Sequence, residues 1–294
     1  MKTIASRTAL AAAILLTGLA PPALQGAAVI YESFTFPDAD TSLTGNPGGT
    51  GLSGNWTAGG GWIESTPMTY GSLETSGDSS RVNGGWQSAQ IGATSSAAYS
   101  ALLANSAELW FSMIMEFNSD NNRSIFALTD IGLAAANGDL NTGGVGIGFG
   151  LAANETFYAN VWSDDLNGNV GSNFNFAPDN NVTTTLNTGL SGSMSNTYFL
   201  VGRVQWGATS TDNDTVSLYM PGTDLVLGAP VSISSGVIAD QSGLDLLGFI
   251  NGANYVRYDE IRVGASYADV SPIPEPSAAF LGGLGTLLLL RRRR

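Results

Sequence analysis

Any chemistry in this chain has to be built from carboxylates, tyrosines, tryptophans and amides, because its 294 residues include no cysteine and no histidine. The first absence removes disulfides, thiolate metal sites and cysteine nucleophiles. The second removes the commonest general base and the commonest transition-metal ligand. Hydrolysis of a glycosidic bond needs two carboxyl groups about 5–10 Å apart, one of them with a raised pKa. The tightest pair in sequence is Asp259-Glu260, and adjacency on a strand predicts that the two point to opposite faces. Glu108 and Glu116 bracket an apolar stretch with no acid between them. Facing catalytic acids are therefore not expected, so the expected catalytic set is empty. A lyase working through Tyr and Arg stays open, although no lysine or histidine stands between residues 29 and 271 to support one.

Two other kinds of residue could meet a ligand. Calcium takes six to eight oxygens, and Asp/Asn loops can supply them. The candidates are Asp164, Asp165 and Asn167 in one loop and Asp212 and Asp214 in another. Turns capped by Asx side chains explain both stretches equally well, so no cofactor is expected and calcium is the one candidate. The six tryptophans, Trp56, Trp62, Trp86, Trp110, Trp162 and Trp206, have faces suited to the C–H surfaces of sugars. Trp110 is expected to line a groove, because it opposes the Leu109/Phe111 face and shares its own face with Ser112 and Glu116.

The elements that must position these residues read as strands. Leu109, Phe111, Met113, Met115 and Phe117 alternate with Trp110, Ser112, Ile114 and Glu116, the period of a sheet strand. Leu200, Gly202, Val204 and Trp206 alternate in the same way, as do Val216, Leu218 and Met220. Further runs lie at Val29–Phe36, Arg123–Leu133, Val145–Ala152, Thr156–Trp162, Leu244–Ile250 and Tyr255–Val263. Asn/Asp/Gly clusters separate them, and only Ser95–Ser106 has helical character. Many short strands joined by turns predict an all-β fold, an antiparallel β-sandwich. From Glu32 to Glu275 five arginines stand against 24 carboxylates, an excess of nineteen negative charges. Such a surface repels phosphate backbones, so nucleic acid is not an expected partner.

Both ends of the body carry short motifs. It opens with Tyr31-Glu32-Ser33-Phe34, Gly48-Gly49-Thr50-Gly51 and Gly54-Asn55-Trp56, and closes with Tyr258-Asp259-Glu260-Ile261-Arg262-Val263-Gly264 and Tyr267-Ala268-Asp269-Val270. Together these resemble the laminin-G-like, concanavalin A-like jelly rolls of bacterial envelope proteins. The resemblance implies a last strand that pairs near the N-terminal one. It also implies a family that contains glycoside hydrolases, lyases and binding modules, so fold does not choose among them. The Glu-x-Asp-x-x-Glu strand typical of its hydrolases is missing here.

The ends themselves read as addresses. Lys2 and Arg7 precede an apolar run to Leu19, and the small residues Gly26, Ala27 and Ala28 follow, the layout of a secretory signal peptide. At the other end Pro274-Glu275-Pro276 is followed by an apolar run from Ser277 to Leu290 and by Arg291, Arg292, Arg293 and Arg294. The run would reach roughly 21 Å as a helix, short of a hydrocarbon core of roughly 30 Å, so a transient rather than permanent membrane association is expected. Triplet, apolar run and basic end resemble the PEP-CTERM sorting domain. That resemblance implies an exosortase-type processing protease as partner, and export linked to extracellular polysaccharide. The expected organisation is a signal peptide at 1–28, a β-sandwich domain at 29–271 and a sorting tail, a hydrophobic helix, at 272–294. The expected function is that of an exported cell-surface or extracellular-matrix protein, structural or carbohydrate-binding and without catalysis. The alternative is a secreted carbohydrate-active enzyme of the same fold.

Overall fold

The computed structural model describes residues 27–37, 41–82, 87–117, 123–130, 145–152, 156–162, 182–184, 186–187, 196–253 and 256–272. The signal-peptide and sorting-tail residues, Trp86 and the loop carrying Asp164, Asp165 and Asn167 lie outside them. The described strands are β1 (Ile30–Glu32), β2 (Leu52–Ala58), β3 (Gly61–Glu64), β4 (Ser79–Val82), β5 (Gln87–Ala93), β6 (Glu108–Phe117), β7 (Arg123–Thr129) and β8 (Gly146–Ala152). They continue with β9 (Thr156–Trp162), β10 (Val182–Thr184), β11 (Leu186–Asn187), β12 (Asn196–Gln205), β13 (Asp214–Tyr219), β14 (Ser232–Gly236), β15 (Leu246–Ala253) and β16 (Val256–Gly264). Two short helices, α1 (Ala97–Leu102) and α2 (Tyr267–Val270), complete the described elements apart from a single 3-10 turn.

Every pairing among the described residues is antiparallel, and the strands form two sheets facing each other across one core, an antiparallel β-sandwich. One sheet runs β10-β14-β13-β12-β6-β16-β4-β3, with β1 also on β16; the other runs β11-β9-β8-β7-β15-β5-β2. The alternation read along β6 holds: Leu109, Phe111, Met113, Met115 and Phe117 point into the main core, where they meet Phe126, Phe149 and Phe249 of the other sheet. The opposite residues Trp110 and Ile114 belong to a second apolar cluster outside the sheet. The run expected from Val29 to Phe36 is cut to three strand residues because Phe34 takes a left-handed φ of 51°. There Glu32 turns back to accept the Phe34 N–H at 2.7 Å.

Two glycines are fixed by what crosses them. A Cβ on Gly202 would sit 2.0 Å from the ring of Phe111, its cross-strand partner, and one on Gly150 would sit 2.3 Å from the ring of Tyr158. Each aromatic therefore lies over the partner strand, where any other residue would collide. At one side of the sandwich the Ser232 and Ser234 hydroxyls of β14 accept the backbone N–H groups of Ala159 and Val161 on β9, at 2.9 and 3.2 Å. The two sheets are thereby joined side by side as well as face to face.

Candidate functional site

The densest group of buried ionisable residues lies where β16 changes neighbours. One edge of β16 pairs with β6; the other pairs with β4 over Val256–Tyr258 and with β1 over Ile261–Val263. Between these stretches the register with β6 shifts and Glu260 adopts a left-handed φ of 54°. This bulge adds one residue to the strand and re-aims a side chain. Asp259 registers with Ile114 on the outer face, and Glu260 bonds Tyr31 and Arg262, which register with each other on that same face. The expectation that Asp259 and Glu260 point to opposite faces is thus corrected. Simple alternation fails because the strand is bulged at that step.

What these charges grip is the loop of residues 65–78, which joins β3 to β4 and folds back over the outer face. Arg257 donates to Thr66 O at 2.7 Å, and Asp259 accepts Met68 N–H at 2.8 Å. Arg262 donates to Glu74 O at 2.7 Å, and Glu260 accepts Ser76 N–H at 2.5 Å. Four of six consecutive residues therefore bond backbone groups of this loop, the Met68 N–H among them buried. Burial pushes the Asp259 carboxyl up to about 8, against the pull of its two backbone N–H partners. Burial also raises Glu260, although Arg262, Ser76 and Tyr31 favour its ionised form. Glu32, facing the core, is raised by burial while accepting Phe34 N–H, Gly49 N–H and Trp56 Nε1–H. A raised carboxyl suits a general acid only if substrate can reach it. Asp259 and Glu260 lie sealed beneath the loop with no exposed surface.

Trp110 is placed beside that loop rather than in a groove. Its ring stacks on Tyr219 with centroids 6.1 Å apart, meets Tyr267 at 6.0 Å and lies under the Arg203 guanidinium. Only 8% of it is exposed, because α2 and the loop of residues 220–231 cover this part of the sheet. Its expected face-mate Ser112 is likewise closed, donating to Val270 O at 2.6 Å. Glu108 pairs with Arg203, which holds the carboxyl below its usual range.

The second calcium candidate is a loop lock. Asp212 accepts Thr209 N–H and its hydroxyl, both at 2.9 Å. Asp214 accepts Gly207 N–H at 2.9 Å and Ile238 N–H at 2.8 Å from a buried position. Both Asp214 oxygens and one of Asp212 thus already accept protein donors. Among the described residues no group of three or more acidic side chains could hold a metal.

Alternation alone, without a motif, brings out one more face. On the outer side of the seven-stranded sheet, register places Tyr158, Asn160 and Trp162 beside Gly150, Gly148 and Gly146, and next to Ala127 and Thr129. This face carries an aromatic row, amides and hydroxyls, and no described carboxylate. Its aromatic side chains are buried outside the main core, Trp162 to 7% exposure. The signal was legible as Tyr158-x-Asn160-x-Trp162 at period 2, opposite a Gly-x-Gly-x-Gly strand.

Fold and site together define an antiparallel β-sandwich whose described buried acids are structurally committed. No protein-family model matches the chain, and neither does any curated protein. Solved structures similar to it include an endo-β-1,4-glucuronan lyase from the fungus Trichoderma reesei, 11% identical, with a TM-score of 0.40 over 83% of this chain and 98% of that one. An alginate lyase is 12% identical, with a TM-score of 0.43 over 81% and 98%. The globular domain of T. cruzi calreticulin is 9% identical, with a TM-score of 0.45 over 91% and 100%.

Proposed function

We propose that this chain is an exported surface or matrix protein whose sandwich serves a structural or polysaccharide-binding role and performs no chemistry on the glycan. One observation carries the non-catalytic part: the strand carboxylates are already engaged. Glu32, Asp214, Asp259 and Glu260 accept backbone N–H groups. Glu64, Glu108 and Glu116 pair with Arg81, Arg203 and Arg257. An acid/base pair needs one free carboxyl facing another across a wet cleft, and neither partner is spare on these strands.

Export rests on the sequence. The charged, apolar and small-residue segments before Val29 support secretion, and Pro274-Glu275-Pro276 with the terminal arginines supports sorting by an exosortase-type protease. Among the described residues no helix is long and apolar enough to cross a membrane. Association of the processed protein with extracellular polysaccharide follows from that route.

A glycan array probed with the full-length chain, with and without calcium, tests the reading, followed by product analysis on any bound glycan. Binding without release of new reducing or unsaturated ends is expected. Release of either would overturn it in favour of a carbohydrate-active enzyme. In the cell, replacing Pro274, Glu275 and Pro276 by alanine should abolish a size shift on processing; an unchanged shift would remove the sorting assignment.

A further inference from the structure

Trp62 stands apart from the other described tryptophans. It is 41% exposed, whereas Trp56, Trp110, Trp162 and Trp206 are all buried. It lies on β3 near the rim of the nine-stranded sheet, where among the described residues only a bridge to Ser42 continues the pairing. Cross-strand register puts Ser42, Trp62, Arg81, Arg257 and Glu116 in one straight row on the outer face. Directly opposed side chains on a sheet start about 5 Å apart, roughly the width of one sugar ring.

One ion pair lies beside the indole, and a second stands two to three strands further along the row. Arg81 holds Glu64 at 2.7 Å with both side chains partly exposed, and Arg257 holds Glu116 at 3.4 Å. Guanidinium donors and carboxylate acceptors side by side can serve both functions of a sugar hydroxyl, while the indole face receives the ring's C–H surface. The pairs cancel in charge, and the body around them carries a large negative excess. An acidic polysaccharide or a second copy of this chain is repelled by that excess, whereas an uncharged ligand is not.

We infer that Trp62, with Arg81 and Glu64 beside it, forms an open platform for a neutral pyranose unit of a polysaccharide. This rests on the polysaccharide-binding reading above and supplies its contact point and ligand class. The platform lies outside both the covered Trp110 cluster and the Tyr158–Trp162 face.

Calorimetric titration of the full-length chain with neutral hexasaccharides of glucose, mannose and galactose, and with a hexauronate, tests it. At least one neutral hexasaccharide should bind; Trp62→Ala should weaken it about tenfold, Trp62→Phe much less, and Arg81→Ala by an intermediate factor. Trp110→Ala should leave affinity unchanged. Wild-type affinity in Trp62→Ala overturns the platform while leaving polysaccharide binding intact. Preference for the hexauronate overturns the neutral ligand class. Failure of the wild type to bind any of the four removes the binding reading and the platform together.

Discussion

Asp259 and Glu260, consecutive in sequence, hold the same loop from one face of β16: Asp259 takes Met68 N–H and Glu260 takes Ser76 N–H. The left-handed residue between two pairing partners makes this possible. It also makes Glu260 the charge partner of the buried Arg262, whose side chain is only 4% exposed.

Removing that partner should be costly. Glu260→Ala strands the Arg262 guanidinium in a closed site and should lower unfolding free energy by about 3–5 kcal/mol. Glu260→Gln keeps acceptor geometry and should lose less. Urea denaturation of the two variants checks the order.

The pH dependence of stability follows from Asp259. Its carboxyl, ordinarily near 3.8, is raised to about 8 in the fold. The folded state therefore binds more protons than the unfolded state between those values. Its contribution to stability is complete below about pH 4, falls as pH rises and is gone above about pH 8. The slope contributed by this one group is at most about 1.4 kcal/mol per pH unit. Asp259→Asn should flatten the decline measured by denaturation at pH 5, 6.5 and 8.

Calcium should not act through the Asp212/Asp214 loop. Asp214→Ala leaves Gly207 and Ile238 N–H groups unpaired and should cost about 2–6 kcal/mol for two buried donors. The loss should be equal with calcium and with chelator in thermal melts.

The glycine under Phe111 offers a steric test. Gly202→Ala places a methyl group against the ring and should destabilise by about 1–3 kcal/mol. Gly228→Ala, with nothing within 4 Å of the new carbon, should stay within about 0.5 kcal/mol. Comparing the two melts separates crowding from a general intolerance of substitution.

The strands were legible where period 2 ran uninterrupted. The inward row from Leu109 to Phe117 and the outward Trp110 and Ile114 fall on the faces that alternation assigns them. Alternation failed at Phe34 and Glu260, where a backbone turn to positive φ leaves no composition signature, since neither residue is glycine. Trp110 was placed on the correct side of its strand, yet its exposure depended on α2 and residues 220–231, which are distant in sequence. Side-chain direction is a local property; cover is not. For the same reason the exposure of Trp62 is set by its neighbours across the sheet and not by its own segment.

Ser232 and Ser234 have a consequence beyond joining the sheets. By occupying the outward N–H groups of Ala159 and Val161, their hydroxyls remove two donors that an incoming strand would need in order to add to β9. Without them that edge would be open to a strand from another copy of the chain, the start of fibril growth. Two hydroxyl groups make it a poor template.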